Sequence, residues 1–159
     1  MSAVCEYPQR QTVHAYAQTA ECSLAVLRAV DITVDNLGSE CRMLAALTAA
    51  GRTLADALLE MESQVSPGSP ALDENGNMAD MLEAVADAMR RRITACIEKR
   101  KTIDCDPAFT ETRRTLLRDA YEQHVAALAA AGSVISTLAG LLIGYELARE
   151  SRSPLNNTF

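Results

Sequence analysis

Apolar residues recur at steps of three and four from Tyr16 onward: Tyr16, Ala20, Leu24, Leu27, Val30, Val34, Leu37, Cys41, Leu44. The same phase continues through Gly51, Leu54, Leu58, Met61 and Val65. A seam held this long predicts one long helix over about 9–64, with a kink near Gly38, where "DITVDNLGSE" lowers helix propensity. "SPGSPALDENGN" (66–77) reads as a loop, because Pro67 and Pro70 remove donors while Gly68 and Gly76 permit tight turning. Asn77 is placed to cap a second helix over 77–103, with Asp80 as its capping-box partner. The buried stripe of that helix is Met78, Leu82, Val85, Met89, Ile93, Cys96. Asp106 and Pro107 suit the N-cap and first position of a third helix over 107–150, roughly 60 Å long at 1.5 Å per residue. The expected fold class is therefore all-α: a single domain over 1–159, an elongated antiparallel bundle of three long helices.

The third helix contains 21 consecutive residues, Val125 to Tyr145, without Asp, Glu, Lys, Arg or His. That is long enough to cross a bilayer. Gly132, Ser136, Gly140 and Gly144 repeat at four-residue spacing, the pattern that lets helices approach closely. On one reading the chain is a tail-anchored membrane protein spanning at 125–145. On the other, the segment is buried by neighbouring helices, and the four small residues form a packing or dimer face. Burial in protein is the expectation adopted, because the flanking charges are mixed, no Trp marks an interface, and the other two helices carry seams that need a partner.

Charge adds a second feature. The net charge is −6, yet residues 90 to 118 hold nine Lys or Arg against four acids, a local +5 that leaves −11 on the remainder. The cluster comprises Arg90, Arg91, Arg92, Lys99, Arg100, Lys101, Arg113 and Arg114, with Arg118 following. Near the hairpin between the second and third helices it forms a basic cap able to meet anionic lipid or an acidic protein surface; a solvated helix end complementing the helix dipole is the simpler alternative. Net acidity, and the absence of aromatics among these cations, argue against nucleic acid. The five cysteines show no CxxC spacing, which fits reduced thiols in a cytoplasmic protein. No apolar signal core, myristoylation glycine or prenylation box is expected to direct the chain elsewhere.

One stretch resembles the I-BAR (IMD) domain of the BAR superfamily: "NLGSECRMLAALTAAGRTLADALLEMESQVSPGSP" (36–70). The matching positions are Asn36, Leu37, Gly38, Ala50, Gly51, Arg52, Asp56, Ala57, Leu58, Met61, Gly68, Ser69 and Pro70, and "TETRRTLLRDAYEQH" (110–124) adds a weaker similarity. Together they cover about 50 of the 159 residues. The resemblance implies an antiparallel helical homodimer, peripheral to membranes, whose distal tips present Lys and Arg to lipid. The second and third helices here are shorter than the family's, so the arms would be stubby.

Catalytic patterns are scarce. His14 lies in the first turns, and His124 follows Glu122 at two residues, the wrong spacing to share a helix face. A di-metal bundle would need Glu-x-x-His, which is missing. Cys41 and Cys96 fall on buried stripes and read as small hydrophobes. Cys105 follows a basic run, but a nucleophile also needs a positioned base. The expectation is a non-enzymatic scaffold with no cofactor, metal or small-molecule substrate, acting through self-association and an anionic lipid or protein partner. A helical adaptor without lipid contact is the remaining alternative.

Overall fold

The computed structural model describes residues 8–29 and 34–151. It is an all-helical bundle of four helices: α1 (Pro8–Ala29), α2 (Val34–Ser63), α3 (Asn77–Cys105) and α4 (Glu111–Ser151). Among the described residues there is no strand.

The expected first helix is two helices. Tyr16 on α1 donates its hydroxyl hydrogen to the Leu47 carbonyl on α2 at 2.8 Å. In one continuous helix these residues would stand about 46 Å apart at 1.5 Å per residue. Ser23 and Met43 line the same α1–α2 groove, so the two helices run antiparallel. The expected kink at Gly38 does not mark the break, because Gly38 lies exposed within α2. The division falls at 30–33, outside the described residues.

The remaining contacts fix the topology. α2 and α4 run parallel: Glu40 meets His124, Gly51 meets Val134, and Glu62 meets Gly144. α3 and α4 run antiparallel, with Asp104 on Arg118, Glu122 on Arg100, and Glu83 on Ser136. α1 lies in the groove beside α3 and pairs with the loop before it, Arg10 lying 3.7 Å from Glu74. α4 packs extensively on both α2 and α3, while α1 touches α2 and α3 more sparingly and sits diagonally opposite α4.

Among the described residues the apolar seams face inward; Val30 and the side chain of Val34 lie outside them. Tyr16, Ala20, Leu24 and Leu27 on α1, Leu37, Leu44, Leu54 and Leu58 on α2, Leu82, Val85 and Met89 on α3, and Leu128, Ile135, Leu138 and Leu142 on α4 form one core. A fully buried Leu, Ile or Val contributes about 1.5–3 kcal/mol, so the core is supplied mainly by aliphatic side chains.

The helix ends differ from expectation in two places. α3 is capped from a distance. Asp73 accepts from the Met78 and Ala79 amides at 3.1 and 2.9 Å, while Gly76, at φ 71°, turns the chain between them. Asn77 is therefore the first helical residue and not the cap. At the other turn, Asp106 accepts from the Ala108 amide and closes a tight turn through Pro107, and α4 begins later, with Thr110 accepting from the Arg113 amide at 3.2 Å. The 64–76 loop is tied to α4: Glu146 Oε1 accepts from the Leu72 and Asp73 amides at 2.6 and 2.8 Å, and Tyr145 donates to the Pro70 carbonyl at 2.8 Å.

Candidate functional site

Three features of the surface and core carry chemistry: the basic end of the α3–α4 hairpin, the outer face of α4, and a buried polar cluster joining α2, α3 and α4.

At the basic end the cations are largely matched by acids on the same two helices. Arg90 pairs with Asp87, Lys101 with Glu98 at 3.5 Å, and Arg100 with Glu122 at 3.4 Å. Arg114 donates to the Asp106 carbonyl at 2.7 Å and lies 3.7 Å from Glu111, while Arg118 reaches Asp104 at 3.0 Å. Arg118 is held protonated by its hydrogen bond to Asp104 and by that carboxylate's charge. Exposed pairs of this kind contribute about 0–1 kcal/mol. Arg91, Lys99 and Arg113 are exposed and make no ion pair among the described residues. Arg92 leaves the cap altogether: it points inward and binds Glu40.

The small-residue ladder of α4 does not line one face. A four-residue step on a helix advances 400°, so the ladder drifts by 40° per step. Gly132 is buried against Met89 and Ala86 of α3, Ser136 donates to Glu83 of α3 at 3.1 Å, Gly140 faces open space, and Gly144 lies against Glu62 of α2. The outward face is instead formed by Ala126, Ala129, Ser133, Thr137, Gly140 and Leu147, with Ile143 at its edge. It carries no charge over about 32 Å. Leu147 is 60% exposed and Ile143 49%. Among the described helices, α4 is long and apolar enough to cross a bilayer, and 39% of its most apolar window is buried inside the bundle. Within the protomer, protein encloses the inner face of Val125–Tyr145 and leaves the outer face uncovered.

The third feature was legible only in pieces. Glu40, Arg92 and His124, on α2, α3 and α4, are 3%, 12% and 0% exposed at the side chain. Arg92 Nη2 donates to Glu40 Oε1 at 3.0 Å, and His124 Nε2 lies 3.0 Å from Glu40 Oε2. Beyond the imidazole, Cys41 Sγ stands 3.9 Å from His124 Nδ1. The contact between Glu40 Oε2 and His124 Nε2 is close but poorly aligned, so neither atom completes a hydrogen bond, and Arg92 Nε also lacks a partner among the described residues. An unsatisfied buried polar group costs about 1–3 kcal/mol, so the cluster is only partly compensated.

Burial sets the protonation states. His124 is pushed down to about 4 by burial and then by the nearby Arg92 charge. Burial raises Glu40, with Arg92 pulling the other way. Cys96 is pushed up to about 11 by burial, and Cys41 is raised by burial and by Glu40. Near neutral pH the cluster thus holds one ion pair, a neutral imidazole and two thiols. Cys41, His124 and Glu40 follow the order of nucleophile, base and orienting acid, but this environment disfavours the thiolate that such chemistry requires. The four described cysteines, Cys22, Cys41, Cys96 and Cys105, are free. Among the described residues no group of three or more His, Cys, Asp or Glu is placed to hold a metal ion.

His14, the other candidate, lines the exposed groove between α1 and the start of α3, far along the bundle from His124. The signal that would have found the cluster is positional. Glu40 sits three residues after Leu37 and four before Leu44, and Arg92 three after Met89 and four before Cys96, so opposite charges occupy two inward stripes. The sequence matches no protein-family profile and no curated protein, and the fold matches no solved structure.

Proposed function

We propose that this chain is a non-enzymatic helical scaffold that acts as a homodimer, joined through the outer face of α4, and that it offers the basic hairpin end to an anionic surface. The uncharged outer face of α4 carries this reading. A helix that faces water on one side normally bears charged residues there, and from Ala126 to Leu147 this one bears none. Small side chains at Ala129, Ser133, Thr137 and Gly140 allow a second helix to approach closely, and Ile143 and Leu147 supply apolar area at one end. The resemblance to I-BAR domains supports an antiparallel pairing of this kind. The folded-back α1 makes the protomer shorter and thicker than that family's arms.

The expected mass in detergent-free solution at micromolar concentration is that of a dimer. Ser133→Arg with Gly140→Arg, at positions that face solvent, is expected to give a folded monomer. A monomeric wild-type protein overturns the dimer, and retention in carbonate-washed membranes favours the spanning alternative. For the anionic contact, Arg91, Lys99 and Arg113 are cations of the basic end that make no ion pair among the described residues, each able to contribute about 1 kcal/mol toward anionic lipid. Co-sedimentation with anionic but not neutral vesicles, lost in Arg91→Glu with Lys99→Glu, is expected. Sedimentation with neither would leave the helical adaptor without lipid contact, and equal sedimentation with both would overturn the role of the basic end. A cytoplasmic location, peripheral to membranes, belongs to the same proposal.

A further inference from the structure

We propose that Glu40, Arg92 and His124 form an acid-sensitive latch that holds α2 against the α3–α4 hairpin while the imidazole is neutral and loosens when it is protonated. The proposal is independent of how the protein pairs or what it binds. It rests first on position. The three side chains come from three helices and meet at one level of the bundle, so they fix α2 relative to the other two. No proline interrupts α2, α3 or α4, and Gly38, two residues before Glu40, lies within the continuous α2 helix, so the side-chain contacts set the grip.

The second support is the chemistry of the surroundings. The ionisable groups facing the imidazole are Glu40 and Cys41 from α2 and Arg92 from α3, with Cys96 of α3 close to those three and Tyr121 of α4 close to Cys96. α1 is diagonal to α4. Of these groups Glu40 is the one anion near neutral pH, and it already serves Arg92. A neutral ring with its hydrogen on Nε2 sets that N–H 3.0 Å from the carboxylate without completing a hydrogen bond, and leaves Nδ1 to accept from the Cys41 thiol. A proton arriving from solvent at Nδ1 changes both relations. The thiol then faces a donor, and Glu40 must be divided between two buried cations. The site gains a net positive charge with no further anion to meet it, which is costly away from water.

The sign follows from linkage. His124 takes up its proton near 6.5 in the unfolded chain and near 4 in the folded one. Its contribution to stability is therefore complete above pH 6.5 and is lost as the pH falls toward 4. Between pH 7 and pH 5 this lowers the folded-to-open ratio by about 20-fold. Glu40, whose burial raises it, acts in the opposite direction in the acid range, so the wild type is compared with a variant that lacks only the imidazole.

Cys96 reports the opening, because it is fully buried on α3 beside Arg92. Its labelling by 4,4′-dithiodipyridine, followed by peptide mass spectrometry and normalised to the urea-unfolded chain at the same pH, is measured at pH 7 and pH 5. In the wild type the normalised rate is expected to rise by about 10- to 30-fold on acidification. In His124→Gln it is expected to change by less than about 3-fold. A flat or falling rate in the wild type, or an equal rise in the variant, overturns the latch. If His124→Gln does not fold, the ring-proton titration of His124 in the wild type decides. An apparent pKa below the ordinary 6.5 supports the proposal, and one at or above 6.5 refutes it.

Discussion

Gly51 offers the sharpest test of the packing. It sits midway along α2, where α1 and α4 both close on the helix. A methyl group built on its backbone would lie 2.4 Å from Val134 Cγ1 and 2.5 Å from the Tyr16 hydroxyl oxygen. Ordinary contact begins near 3.4 Å, so relief requires a movement of about 1 Å by α4, by Tyr16, or by both. Tyr16 is not free to give way, because its hydroxyl is bonded to the Leu47 carbonyl at 2.8 Å. Moving it forfeits about 1 kcal/mol, and overpacking adds about 1–3 kcal/mol. Replacing a mid-helix glycine by alanine returns about 1 kcal/mol of helix propensity. Gly51→Ala should therefore destabilise by about 1–3 kcal/mol, lowering Tm by roughly 2–12 °C for a chain of this size. Gly38→Ala is the control, because the same methyl there meets nothing within 4 Å and lies away from the outer face of α4. It should stabilise by about 0.5–1 kcal/mol. Urea denaturation of both variants reads the difference directly. If Gly51→Ala proves as stable as Gly38→Ala, the close approach of α1 and α4 to α2 is wrong.

Other substitutions separate the remaining contacts. Tyr16→Phe keeps the ring and removes the bond to Leu47, and it should cost about 1 kcal/mol in urea denaturation; loss of a phenol that burial holds up to about 12 should also flatten the alkaline end of the stability profile. Glu146→Ala strips the acceptor from the Leu72 and Asp73 amides and should cost about 1–3 kcal/mol, with hydrogen exchange of the 64–76 loop accelerating before that of α2. Asp73→Ala removes the α3 cap and should cost about 1–2 kcal/mol, less than additively with Glu146→Ala because the two share a loop; full additivity would count against the coupling. At pH 8 Cys22 and Cys105, both exposed, should react with Ellman's reagent in the folded protein, and Cys96 should react after unfolding.

The helices after residue 77 were legible because each element carried both its seam and its punctuation. The 77–103 and 107–150 expectations lie within a few residues of Asn77–Cys105 and Glu111–Ser151. The start of α4 was misplaced because Asp106-Pro107 can open a helix or close a turn. Thr110, three residues on, settles the choice by supplying its own cap. The first helix was misread for a deeper reason. A seam in constant phase shows that one face is buried, and it does not show by what. A straight helix and a hairpin whose arms each bury that face have the same spacing, so Tyr16 meeting Leu47 could not be read from periodicity. The cap of α3 was hidden likewise, since Asp73 reaches over a left-handed Gly76 from four residues before Asn77. The neighbours of His124 in sequence do not reveal its chemistry, which comes from α2 and α3.

Two places on this molecule invert the usual rule of apolar inside and charged outside, and both involve α4. On its inner face His124 joins Glu40 and Arg92 at less than 13% exposure, where aliphatic side chains would cost less. On its outer face Ala126 to Leu147 presents no charge to solvent, where charges would cost nothing. Folding stability explains neither, since Leu128, Ile135, Leu138 and Leu142 already anchor the helix. Each inversion has a use when something outside the protomer is added: a second helix for the outer face, a proton for the inner one. The two lie on opposite sides of the same helix, separated by its diameter of about 10 Å. A charge placed at Gly140 should therefore abolish pairing and leave the acid response of Cys96 labelling intact, and His124→Gln should do the reverse. If either substitution altered both readouts, the two sides of α4 would be coupled, and the separate accounts given for them would have to be replaced by one.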